Sequence, residues 1–428
     1  MRTVALSLVS VLALAAATPA LAQQTINIGH LADYSGGTSD VGQPYGQGVQ
    51  DTIAFINKNG GVNGKTINSD FNEYGYQVPR ALAAFKKWTS GSDKVVAIQG
   101  WGTADTEALV AMVTKEQIPY YSGSYSASLT DPTGKAGPKS ERAAPYNFFY
   151  GPSYSDAARA MVQWAADDWK AKGGQGKPKW VHMGANHPYP NSPKAAAEAY
   201  AKELGFDVLE PITFALTPGD YTAQCLTLKQ GGANYAYLGN TAGSNISVLK
   251  ACETAGVKVQ FLGNVWGMGE EAMKAAGTAA NGVVFPVRTA VTWTGSAPGL
   301  ETFKEISKQS DPSGNAYRSV HYMTAVCTVL YMKEAMQWAD KNGGVTGPKI
   351  AEGMYQKKDW VPEGTTGVCN PSTWTNTDHR PTMTVDLYRS VVSGPTDGSL
   401  AELVKSGAIK LEKVATIKLD RKTELQGW

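Results

Sequence analysis

From residue 26 onward, short apolar runs alternate with stretches whose apolar side chains return every three or four positions. Residues 26–29 predict a first strand, and residues 45–57 carry Val49, Ile53 and Ile56 at helical spacing, with Pro44 favourable near a helix start. Gly60-Gly61-Val62-Asn63-Gly64 is a turn cluster. A helix over 80–88, a buried strand over 95–98, a helix over 105–113 and a strand over 118–121 complete the first series. Residues 130–145, rich in Gly, Pro, Lys and Asp, predict a long loop. The pattern then restarts with strands over 148–150, 180–183, 236–238, 260–262 and 282–285, and helices over 157–169, 195–204 and 246–255. The longest periodic helix is expected over 316–339.

Repeated strand–helix order predicts an α/β protein with mostly parallel sheets flanked by helices and joined by right-handed crossovers. The restart implies two such lobes, as does a chain of 428 residues, which exceeds what one core usually serves. No period of about 20–50 residues is visible, which excludes a solenoid.

The N-terminus sets the compartment. Arg2, an apolar run over 4–17 and Ala20-Leu21-Ala22 ahead of Gln23 make residues 1–22 an expected signal peptide, too short in its apolar part to span a bilayer. No Cys stands at the cleavage site, so a freely diffusing periplasmic protein is expected. A net charge of +2 without a basic cluster gives no case for nucleic acid or anionic membrane, and points to a small partner. Eleven Trp and twenty Tyr suit a chain that stacks a ligand or packs two lobes. Cys225, Cys252, Cys327 and Cys369 fit two disulfides in three possible connectivities, with buried free thiols as the alternative. Cys225 and Cys252 fall on successive helices of one lobe, which favours 225–252 and leaves 327–369.

The order of several motifs resembles a known family. Ile26-Asn27-Ile28-Gly29, Ser35-Gly36, Gly46-Gln47-Gly48, and Ile56-Asn57 followed by Gly60-Gly61-Val62-Asn63-Gly64-Lys65 look like the start of the branched-chain amino acid and amide binding proteins of ABC importers. Ile118-Pro119, residues 122–126, Leu129-Thr130, Phe261-Leu262-Gly263 and Asp311-Pro312-Ser313-Gly314 continue the resemblance over nearly all of the mature chain. It implies a type I periplasmic binding fold whose two lobes hold a solute in their cleft. Lobe one would take residues 25–147 and 288–362, and lobe two 151–285 and 371–428, with crossings near 147–152, 285–288 and 361–371. A monomer that delivers its solute to ABC permease domains, without a cofactor, is the implied partner arrangement.

Carried over residue by residue, the resemblance places first-lobe contacts at Trp101, Gly102 and Thr103 and at Ser124, Tyr125 and Ser126. Hydroxyls and free N–H groups at helix starts there would suit a carboxylate or amide, although Ser124 and Ser126 also fit plain turn capping. Second-lobe contacts would be Tyr189, Asn240, Thr241, and Val265 or Trp266. The chain departs from the family at Val265, where amino acid binders place a carboxylate for the ammonium group. An unpaired buried ammonium is costly, so an acid or amide is expected in place of an α-amino acid unless Glu270 or Glu271 compensates.

Catalytic readings lack partners. Ser247-Val248-Leu249-Lys250 matches S-x-x-K with no second motif, and Gly267-Met268-Gly269 lacks the third glycine of a dinucleotide turn. His30, His182, His187, His321 and His379 show no metal-ligand spacing. A solute receptor for an ABC importer is therefore expected, with a sensor of the same fold as the first alternative and a secreted hydrolase as the second.

Overall fold

The computed structural model describes residues 24–140 and 142–428, so the expected signal peptide lies outside the described residues. Strands β1 (Thr25–Ala32), β2 (Thr66–Glu73), β3 (Ala97–Gln99), β4 (Tyr120–Ser122) and β5 (Asn147–Phe149) form one sheet in the order 2-1-3-4-5. Every neighbouring pair is parallel, with α-helices crossing over from β1 to β2, β2 to β3 and β3 to β4 and a long loop leading to β5. The strand expected at 148–150 is β5, and it completes this sheet against β4.

The second sheet holds β6 (Lys179–Gly184), β7 (Asp207–Val208), β8 (Ile212–Thr213), β9 (Tyr235–Leu238), β10 (Gln260–Gly263), β11 (Val284–Val287), β12 (Thr384–Val392) and β13 (Ile409–Lys418). Its order is 13-12-11-10-9-6-7, with β8 beside β6. Strands β6 to β11 run parallel, and β12 and β13 add an antiparallel edge in which Val385 and Leu387 turn inward. The architecture is the expected mixed α/β one, with mostly parallel sheets flanked by helices.

Helix Val320–Lys341 is apolar almost all round because it is packed almost all round. It lies against helix Ser39–Lys58 and helix Gly347–Met354. The first contact is close because Gly48 has no side chain: a Cβ there would stand 2.7 Å from the Tyr322 carbonyl oxygen. Helix Ser39–Lys58 starts earlier than its apolar spacing predicts, so Pro44 lies inside it and leaves the Asp40 carbonyl without its intrahelical donor. Helix Tyr154–Ala171 is capped by Ser153, whose Oγ accepts from Asp156 N at 3.0 Å.

Disulfides join Cys225 to Cys252, on the neighbouring helices Thr222–Gly231 and Ala242–Thr254, and Cys327 to Cys369. Three chain-distant stretches meet between the sheets. The Tyr150 hydroxyl donates to the Arg288 carbonyl at 2.8 Å and accepts from Asn370 N at 2.7 Å, while the Trp374 indole donates to the Phe149 carbonyl at 3.2 Å. Among the described residues, no helix is long and apolar enough to cross a membrane.

Candidate ligand-binding site

In the first sheet the strand order reverses direction between β1 and β3, and the crevice beyond their carboxyl ends is where open α/β sheets hold ligands. Thr38 follows β1 and Trp101 follows β3; the Trp101 indole donates to Thr38 Oγ1 at 2.9 Å, and that hydroxyl donates to Asp33 Oδ2 at 2.6 Å. Gly123 follows β4, and only glycine fits, since a Cβ would lie 2.7 Å from the Trp101 ring. The N–H groups of Gly102 and Thr103, expected to be free for an anionic oxygen, donate instead to the hydroxyls of Tyr74 at 3.2 Å and Tyr76 at 3.3 Å. Tyr74 in turn donates to Asp105 Oδ1 at 2.7 Å, and burial pushes that carboxyl up to about 7 against this bond and a weaker one from Tyr120.

The facing wall grows from the carboxyl ends of β6, β9 and β10, which are followed by Tyr189, Thr241 and Trp266. Asn264 organises this wall. Its Oδ1 accepts from the Tyr189 hydroxyl and from Trp266 N, both at 2.7 Å, and its Nδ2 donates to the carbonyls of Gly239 at 2.5 Å and Asn240 at 2.9 Å. The two walls touch. The Trp266 indole donates to the Gly123 carbonyl at 3.0 Å, Gly243 N donates to Asp40 at 2.5 Å, and the rings of Trp101 and Trp266 meet edge-on with centroids 4.9 Å apart.

The cleft between them has about 210 Å³ of unfilled space, counting what is open to solvent at its mouth. Trp101, Gly102, Thr103, Tyr189, Thr241 and Trp266 line it, joined by Thr38, Tyr76, Gly123 and Tyr154. Ser124 sits one step back, donating to Thr103 Oγ1 at 2.9 Å, and Tyr125 is buried behind Trp266 with centroids 5.7 Å apart. Ser126 donates to Glu107 at 2.6 Å and caps the turn Ala127–Leu129. Asn240 and Val265 do not line the cleft; the Asn240 amide bridges Ala185 N and the Ala215 carbonyl, both at 2.8 Å. No carboxylate lines it among the described residues, and Glu270 is engaged at the start of helix Val320–Lys341, accepting from Tyr317 at 3.0 Å and Val320 N at 3.2 Å. A larger hollow of about 1140 Å³ bordered by Asn27, Asp70 and Lys87 lies on the outer surface, away from the carboxyl ends of the first sheet.

Several residues of the site carry no clear sequence signal. Tyr45 sits at a helical core position, yet its ring lies 5.2 Å from Trp101 and 5.5 Å from Trp266. Arg288 follows β11 and places its guanidinium 3.8 Å from the centroid of the Trp266 ring. Asn264 shows only as a short amide in the turn after a strand, the one hint available.

Residues 25–396 match the periplasmic binding protein family, and the chain belongs to it. Among solved structures, an ABC transporter substrate-binding protein from Aeropyrum pernix is 22% identical with a TM-score of 0.76, covering 94% of this chain and 98% of its own. A branched-chain amino acid ABC transporter protein from Thermus thermophilus with bound valine is 20% identical, with a TM-score of 0.75 over 90% of this chain and 100% of its own. A fatty acid ABC transporter substrate-binding protein from Thermomonospora curvata is 17% identical, with a TM-score of 0.73 over 89% of this chain and 94% of its own. No curated protein matches the chain in sequence. The fold is thus the two-lobed type I periplasmic binding fold, in a family of solute-binding proteins.

Proposed function

We propose that the mature chain is a periplasmic receptor, not an enzyme, that takes a small organic solute between its lobes and delivers it to the membrane domains of an ABC importer. One observation carries the reading: two half-sites from the carboxyl ends of separate sheets face each other across a cleft and bond across it through Trp266 and Gly123. The ligand contacts we assign are Trp101, Gly102, Thr103, Tyr189, Thr241 and Trp266, backed by Ser124, Tyr125 and Ser126. The lobes are residues 25–147 with 288–362 and 151–285 with 371–428, and the contacts among Tyr150, Arg288 and Asn370 support a hinge where the crossings meet.

The cleft favours a solute without a charged amine, because among the described residues no carboxylate lines it to hold an ammonium group. Mass spectrometry of small molecules released from protein purified from its own host tests the receptor reading. A single small solute released in near-stoichiometric amount is expected, together with a smaller radius of gyration in X-ray scattering at saturation with that solute. Protein that releases nothing small, and whose scattering no candidate solute changes, would refute it.

A further inference from the structure

Three arginines are buried among the described residues, Arg159, Arg288 and Arg380. Arg159 reaches Asp156 at 3.1 Å and Arg380 reaches Asp378 at 2.8 Å. Arg288 is 1% exposed and has no carboxylate partner among the described residues. Its Nη2 donates to Nδ1 of His321 at 2.8 Å, which makes that nitrogen the acceptor and leaves the imidazole neutral; burial and the neighbouring guanidinium hold His321 well below its ordinary pKa. The Nε and Nη1 donors make no well-formed hydrogen bond, with the Tyr125 hydroxyl the nearby polar group. A cation removed from water without an anion is strongly destabilising, and the faces of Trp266 at 3.8 Å and Tyr125 at 5.6 Å offset only part of that. The hydroxyls of Tyr125 and Tyr45, whose rings also touch Trp266, are buried without a well-formed hydrogen bond, beside Arg288 and Thr328 respectively.

This cluster lies one side chain behind the cleft, because Trp266 lines the cleft on one side and covers the guanidinium on the other. We infer that Arg288 anchors the acid group of the solute, a monocarboxylic acid whose apolar body lies against Trp101 and Trp266. The inference rests on the receptor reading above and deepens it. An acid at the N–H edge of Arg288 meets its Nε and Nη1 donors and the two tyrosine hydroxyls, whereas the Gly102 and Thr103 N–H groups at the helix start are already spent on Tyr74 and Tyr76. No lysine or arginine lines the cleft itself among the described residues, so Arg288 behind it balances one negative charge and not the two of a phosphate ester. Trp266 bonds to Gly123 across the cleft, so separating the walls breaks that bond and frees the indole edge beside the guanidinium.

The test pairs acids with their amides. The mature protein is titrated by calorimetry and thermal shift with benzoate, phenylacetate and hexanoate, and with benzamide, phenylacetamide and hexanamide. At least one acid is expected to bind about a hundredfold more tightly than its amide, as pairing a desolvated charge requires. Arg288→Met should cancel the acid's advantage, weakening the acid about tenfold or more beyond any loss for its amide, while Arg288→Lys keeps part of it. If Arg288→Met fails to fold, the acid–amide comparison on the unmodified protein still decides. Amides binding as well as acids, an undiminished acid affinity in Arg288→Met, or no acid bound at all would overturn the proposal. A neutral solute released from host-purified protein, with the acids inert, would remove the anchor and leave the receptor reading standing.

Discussion

Asp105 gives the sharpest test of how the first wall is held. It is fully buried in the first turn of helix Thr103–Glu116, with Tyr74 bonded to its Oδ1 and, through the same hydroxyl, to Gly102 N. Burial raises its carboxyl from the ordinary value near 4 to about 7, so the folded protein keeps this proton while the unfolded chain releases it. Stability from this group is therefore complete below pH about 4 and is lost progressively as the pH rises to about 7. Some three pH units at 1.36 kcal/mol each set an upper limit of about 4 kcal/mol. Asp105→Asn mimics the protonated carboxyl and still accepts from Tyr74. Urea unfolding of both proteins from pH 4 to 9 should give similar stabilities at the acid end and an advantage for the variant of about 2–4 kcal/mol above pH 7.5. A difference that stays flat with pH, or a variant that loses ground in alkali, would show that Asp105 works as an ionised carboxylate and that its hydroxyl partners outweigh burial.

Replacing both cysteines of a disulfide by alanine should cost about 3.5 kcal/mol for 225–252 and about 4 kcal/mol for 327–369, from loops of 27 and 42 residues, as read by denaturant midpoints. Gly48→Ala gains up to about 1 kcal/mol of helix propensity but drives a methyl to 2.7 Å from the Tyr322 oxygen and 2.9 Å from the Ala325 methyl; a net loss of about 1–3 kcal/mol is expected, and a gain would mean the helices separate freely. Burial depresses His30 and His182 to about 3 and His379 to about 4, so each contributes stability above pH about 6.5 that is lost as the pH falls towards those values. His182, stacked on Tyr237 with neither ring nitrogen bonded, is the cleanest of the three, and His182→Phe should flatten the fall in urea midpoint between pH 7 and pH 4.5.

The alternation of strands and helices was legible because both periods are written locally, in runs such as Val95 to Ile98 and in Val49, Ile53 and Ile56. Trp101, Thr103, Tyr189 and Trp266 were reachable because each stands just past a strand end, and the family resemblance marked those turns. Arg288 and Tyr45 were not, for a physical reason. A lone arginine after a strand is ordinary until every carboxylate is known to be elsewhere, and Tyr45 occupies a core position on its helix. That the Gly102 and Thr103 N–H groups are spent is not written in their own turn, since Tyr74 and Tyr76 reach them from the end of another strand. The antiparallel pair β12 and β13 carries a weak signal despite its length, because Val385 and Leu387 alternate with polar residues and β13 fully buries only Ile409.

Asn264 ties Tyr189, Trp266 and the end of β9 into one hydrogen-bonded unit within a single wall. A solute that reaches this wall meets side chains already held in place, so little rotamer freedom remains to be surrendered on contact. The opposite face shares the property, since Thr38 is tied both to Trp101 and to Asp33, so closing the two walls on a solute asks little new ordering of either.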